Sequence, residues 1–176
     1  MKTAQVGIVM GSDSDLATMS AAAKVLQEFG IESEIRVLSA HRTPEQVVAW
    51  VRASEQGGTK VFIAGAGVSA ALPGVVAAHT ARPVIGVPLS SRNSAAGGLD
   101  AILSIAQMPP GVPVACVSLD GAKNAGILAA QIIGAGDAGM GDKIVAYKQT
   151  MASEIVAKDE KLQRAGVKKY LEEKSL

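Results

Sequence analysis

Cysteine occurs once in the 176 residues, as Cys116, so no intrachain disulfide framework is available and the chain reads as one made for a reducing cytoplasm. Histidine is almost as scarce. His41 and His79 are the only two, which leaves almost no material for a Cys/His zinc site. Aromatic side chains make up 3% of the sequence, so the core must close by bringing backbones near one another. Neither sign of charge dominates: 17 basic and 16 acidic side chains leave a net +1, which argues against a basic face for nucleic acid or a membrane surface. No apolar run reaches the ~20 residues of a spanning helix, and the short one in MKTAQVGIVMGSDSD stops at Gly11. Export and membrane insertion are not expected.

What the chain does have is 48% hydrophobic residues, with 30 alanines and 19 glycines, enough to bury a sizeable core as one domain. Of its 33 charged side chains, 15 fall in the last 40 residues, from Asp137 onward. This divides the chain into an α/β unit over 1–136 and a charged helical extension of the same domain over 137–176. The first part is too apolar for a fully solvated monomer, and the segment Ala122–Ile133 brings Ala125, Gly126, Ala129 and Ala130 close together. Both features lead to an expected homo-oligomer, with that small-residue stripe needing a covering partner.

Apolar runs and helical periodicity alternate along the chain. Strands are predicted at Gln5–Met10, Glu34–Leu38, Lys60–Ala64, Val84–Val87 and Val114–Val117. The helices between and after them are Leu16–Phe29, Pro44–Glu55, Ala71–His79, Leu99–Ala106 and Ala122–Ile133. That alternation gives a parallel α/β sheet with helices on both faces. Beyond Gly134 the stretch GAGDAGMG reads as a hinge or helix start, and Asp142–Lys158 and Glu160–Glu173 read as two charged helices packed outside the sheet.

In an open parallel sheet the ligand crevice lies at the carboxyl ends of the strands, so the segments that follow them are the candidates. Gly11-Ser12-Asp13-Ser14-Asp15 enters a helix whose first amides can hold an anion, while its carboxylates suit sugar hydroxyls; a phosphorylated sugar fits both halves, and a plain N-cap is the competing explanation. Ser39-Ala40-His41-Arg42-Thr43-Pro44 places His41, a proton carrier, beside Arg42, a fork for phosphate, in the turn before a helix begun by Pro44. His79, near the end of its helix, reads as a partner for the helix dipole. Gly65-Ala66-Gly67-Val68-Ser69-Ala70 matches G-x-G-x-x-A, but it follows the third strand and lacks the acid expected about 20 residues on, so it is not a dinucleotide fingerprint. Its glycines let backbone amides approach a small ligand. Ser69 is not in a nucleophile elbow, and no phosphate-binding G-x-x-x-x-G-K-[ST] is present. The loop Pro88–Gly98 is either a plain surface loop or a cover for the crevice, and Lys123 and Asn124 follow the fifth strand toward the same edge.

Taken in order, MGSDSD, SAHRTP, IAGAG with ALPG, LSIAQMPPGVPVA and AKNAGILAAQI resemble the PurE family from about Val6 to Ile133. The resemblance implies a three-layer flavodoxin-like fold with a C-terminal helical extension, commonly a homo-octamer. It implies no metal or organic cofactor, and as partners an aminoimidazole ribonucleotide and carbon dioxide. Carried over by position, Ser12, Ser39 and Arg42 hold the phosphate and Asp15 the ribose hydroxyls, with Gly11 also among the substrate-binding residues. His41 is then the acid and base, and Gly65, Gly67 and Leu72 form the pocket for base and carboxylate.

One class of the family interconverts N5-carboxyaminoimidazole ribonucleotide and its carbon-4 isomer; another carboxylates aminoimidazole ribonucleotide directly. The mutase class typically reads GGAAHLPG where this chain reads GVSAALPG, so Ala71 replaces a histidine, and the loop Ser90–Gly98 is slightly longer than usual. Arg42, LSIAQMP and NAGILAA are mutase-like. The mutase is the favoured reading, with the direct carboxylase as its alternative. The non-enzymatic rivals, a flavodoxin-like nucleotide-binding module and a purely structural oligomer, leave the polar strand ends unexplained.

Overall fold

Val6–Met10 is buried along its whole length, as befits a strand with helices over both faces. In a computed structural model that describes residues 4–174, it is β1 of a five-stranded, wholly parallel sheet. Residues 1–3 and 175–176, the outer ends of the segments 1–136 and 137–176, lie outside the described residues. A single 3-10 turn (Asp13–Asp15) leads into α1 (Leu16–Glu28), followed by β2 (Ser33–Val37), α2 (Pro44–Gln56), β3 (Val61–Gly67) and α3 (Leu72–Ala78). Then come β4 (Val84–Leu89), α4 (Leu99–Ala106), β5 (Ala115–Cys116), α5 (Ala122–Gly134) and α6 (Ala138–Lys174). The order β2-β1-β3-β4-β5 is flavodoxin-like and reverses direction between β1 and β3, which is where such sheets bind ligands.

Alternation along β1 sorts the two cores. Val6, Ile8 and Met10 face α1, α5 and the first turns of α6, whereas Val9 joins Val47, Trp50 and Phe62 beneath α2 and α3. The Trp50 and Phe62 rings meet edge to face at 5.4 Å, and a side chain at Gly7 would come within 2.9 Å of Phe62. Ala122, Ala125, Gly126, Ala129 and Ala130 are all buried inside the chain. A Cβ on Gly126 would lie 2.8 Å from the Ala22 carbonyl oxygen, so it is α1 of the same chain that covers this stripe, and the expectation of an external partner there does not hold.

Several element boundaries differ from the sequence expectation, most of them by a residue and a few by more. β3 runs on through Gly67, because Gly65, Ala66 and Gly67 pair in register with Val87, Pro88 and Leu89 of an equally lengthened β4; cross-strand pairing outweighs the weak strand preference of glycine and proline. β5 shrinks to Ala115 and Cys116 at the sheet's edge. α6 begins inside the Gly-rich stretch, where the Asp137 carboxylate accepts the Met140 N–H at 3.2 Å as a cap. Its break falls at Gly166, with φ 73° and ψ 158°, and not between Lys158 and Glu160. Beyond that glycine the chain folds back, and Lys161 reaches Glu173 at 2.7 Å. Only Met140 and Ile144 of α6 are buried; they join the core cluster that includes residues of α1 and α5, and Tyr147 meets Phe29 ring to ring at 5.3 Å.

Candidate active site

Four strand ends converge on a cleft of about 630 Å³, a volume suited to one small ligand. Its first wall follows β1 and consists of Gly11, Ser12, Ser14 and Asp15. Ser12 Oγ accepts the Ser14 N–H at 3.3 Å and the Ser14 hydroxyl at 3.0 Å, so the serine caps the turn and lines the cleft at once. The capping role weighed for it in the sequence is filled, and its position leaves it facing the cleft.

The second wall follows β2. Thr43 closes the turn by accepting the Ser39 N–H at 2.8 Å and donating to the Ser39 carbonyl at 3.1 Å, after which Pro44 starts α2. This turn presents Ser39, Ala40, His41 and Arg42 to the cleft. Arg42 donates through Nη2 to the Gly11 carbonyl at 2.7 Å and through Nε to Ser39 Oγ at 3.4 Å, bracing its guanidinium across the ends of β1 and β2. His41 is exposed at the rim and has no hydrogen-bond or ion-pair partner among the described residues, which leaves both ring nitrogens free for a ligand.

The floor follows β3: Ala66, Gly67, Val68, Ser69, Ala71 and Leu72. Gly67 is needed where it stands, since a Cβ there would lie 2.9 Å from the Leu89 carbonyl oxygen. Val68 holds φ 55°, a left-handed conformation rare for a β-branched residue. Gly65 does not reach the cleft. It sits deeper in β3, where a Cβ would press on the Met19 sulfur and Leu89, so its small size serves packing. Ser90, Ser91, Arg92 and Asn93 complete the enclosure from the β4 side. Arg92 is thus a second cation at the cleft, which local sequence did not assign. Lys123 points elsewhere, its Nζ lying 5.8 Å over the Tyr147 ring, and Asn124 does not line the cleft.

Burial pushes the Asp15 carboxyl above its usual value of 3.8, the nearby Asp120 and Asp13 add to the rise, and the Ser14 hydroxyl opposes it. A raised folded-state value means the group favours folding most below 3.8, and this contribution is lost as pH rises through the shifted value. Asp15→Asn should therefore melt with wild-type protein in acid and above it near neutrality, while binding a ribose-bearing ligand more weakly. Melting curves across pH check this; a constant gap between the two proteins contradicts it. Burial also raises the Cys116 thiol, which keeps it from acting as a thiolate nucleophile.

Comparison with known proteins places these residues in context. A family model described as AIR carboxylase matches residues 5–154. The N5-carboxyaminoimidazole ribonucleotide mutase of Thermotoga maritima is 50% identical over 170 residues, covering 97% of this chain and 98% of its own. The phosphoribosylaminoimidazole carboxylase of Saccharomyces cerevisiae is 46% identical over 169 residues, 96% of this chain and 29% of that longer protein. Among solved structures, Treponema denticola PurE superposes with a TM-score of 0.80 at 38% identity, over 89% of this chain and 97% of that one. The family model spans residues 5–154 of this chain and the cleft lies wholly within that span; the chain belongs to the AIR carboxylase family.

Proposed function

We propose that the chain interconverts N5-carboxyaminoimidazole ribonucleotide and 4-carboxy-5-aminoimidazole ribonucleotide in de novo purine biosynthesis, acting as a mutase. The observation that carries this reading is the placing of a braced arginine and an unpartnered histidine on one turn at the mouth of the cleft. The 50% identity to a mutase over 97% of this chain and 98% of that one supports it. Ser12, Ser39 and Arg42 receive the phosphate and Asp15 the ribose hydroxyls, leaving the imidazole over Gly67 and Leu72. His41 then donates a proton to N5 as the N–carboxyl bond breaks and carbon dioxide departs. Carbon 4 attacks the carbon dioxide, and His41 takes the proton that carbon 4 gives up. No net proton is gained or lost. Ala66, Val68 and Ala71 put small apolar side chains at the floor, a surface against which the gas is held for recapture.

One observation favours the alternative: Ala71 lines the floor where mutases typically have histidine, so direct carboxylation of aminoimidazole ribonucleotide is the second reading. Purified protein should isomerise the N-carboxylated ribonucleotide without ATP and keep most of its carboxyl carbon when labelled carbon dioxide is in solution. Preferential use of aminoimidazole ribonucleotide plus carbon dioxide would make the direct carboxylase correct. We place the enzyme in the cytoplasm, as its free Cys116 suits, and assign it a closed homo-oligomer, best counted as an octamer. Val145, Met151, Ile155 and Val156 of α6 stand exposed and support such assembly. Light scattering on the same sample should give several times the 17.9 kDa chain mass.

A further inference from the structure

The β4–α4 loop carries a whole wall of the cleft, and both of its ends rest on the turn between β5 and α5. At its start the Ser90 N–H donates to Asp120 Oδ1 at 2.9 Å, and the Asp120 N–H donates to the Pro88 carbonyl at 2.8 Å. At its end Leu119 packs so closely on Gly98 that a Cβ there would lie 2.7 Å from its methyl carbons. Between these points the loop is tied to itself: the Ser94 N–H donates to the Ser91 carbonyl at 3.1 Å, and the Gly98 N–H to Ser94 Oγ at 2.7 Å. The arch is therefore a stiff unit whose height over the floor is set where it is pinned.

We infer that Asp120 is a positioning residue for the reaction, its carboxylate holding Ser90 and through it the Ser91–Asn93 wall over the cleft. Asp120 sits in left-handed backbone, φ 56°, which aspartate and asparagine tolerate better than most residues. Its carboxylate also lies near enough to Asp15 to disfavour that group's ionisation, which puts it on the cleft side of the turn. A residue serving only the turn needs that backbone conformation and no side-chain acceptor. A residue that positions the wall needs both.

The two requirements separate by substitution. Asp120→Gly relaxes the backbone but removes the acceptor, whereas Asp120→Asn keeps an acceptor oxygen and drops the charge. With Tm at or above wild type, Asp120→Gly should raise KM about tenfold, the scale of one lost charge-assisted hydrogen bond, with a smaller change in kcat. Trypsin should cut it after the exposed Arg92 faster by a similar factor, read by mass spectrometry in the absence of substrate. Asp120→Asn should stay within about threefold of wild type in both, because a neutral acceptor keeps roughly half of the bond's strength. Unchanged cleavage and KM in Asp120→Gly would overturn the proposal, as would faster cleavage with unchanged KM. Equal defects in the two variants would also overturn it, by making charge and not the hydrogen bond responsible. The KM arm rests on the mutase reading; if wild-type protein is inactive on the ribonucleotide, that reading fails while the cleavage comparison still decides whether Asp120 holds the loop.

Discussion

His41→Asn should lower turnover by at least ~100-fold, the usual scale for losing a general acid and base, while substrate affinity and Tm stay near wild type. The ring is exposed and makes no hydrogen bond or ion pair among the described residues, so nothing in the fold depends on it. The reaction needs a group that gives a proton to nitrogen and takes one from carbon within one cycle, and asparagine can do neither. Binding falls to the serines and Arg42, which the substitution leaves in place. Equilibrium binding and single-turnover rates on the same preparation separate the two effects. Turnover within a few-fold of wild type would remove His41 from the chemistry.

Arg42→Ala should weaken binding of the ribonucleotide by ~1.5–3 kcal/mol, roughly 10- to 150-fold, as expected for a lost charge-assisted pair. The corresponding nucleoside, which lacks the phosphate, should bind the variant and wild type almost equally. Arg42 is already braced on the Gly11 carbonyl and on Ser39, so in the proposed complex its guanidinium would meet the phosphate without losing much freedom. Arg92 lines the same cleft from the β4 side, two strands away from β1, whereas Arg42 is fixed at the ends of β1 and β2. Titration calorimetry with both ligands tests this, and equal losses for the two would show that Arg42 supports the cleft as a whole.

Much of this site was legible because a parallel sheet buried on both faces writes its strands as apolar runs and puts its chemistry just after them. Ser12, Asp15, Ser39, His41, Arg42, Gly67 and Leu72 all follow or close such runs, and the cleft gathers them. Gly65 is two residues from Gly67 and faces Met19 because its place is decided by the helix packed on β3, which no local pattern reveals. Arg92 sits in the Pro88–Gly98 loop, which local sequence leaves open between a surface loop and a cover for the crevice; the strand order decides it, because β4 lies one strand nearer the switch point than β5. The alanine stripe of α5 misled because small residues mark close contact without naming the partner, and here the partner is α1. The signal for Asp120 was present as a plain Asp-Gly turn, whose reach to Ser90 appears only in three dimensions.

Val68 and Asp120 are the two non-glycine residues with left-handed backbone among the described ones, and both stand near the cleft. For Val68, whose branched side chain suits that conformation poorly, the penalty is of order 1–3 kcal/mol, against a total of about 5–15 for a typical domain. Glycine at position 68 would shed it. Selection for heat resistance therefore has a ready gain at the cleft floor, and the glycine that mutases typically carry at this position takes it at the loss of one apolar side chain from the floor.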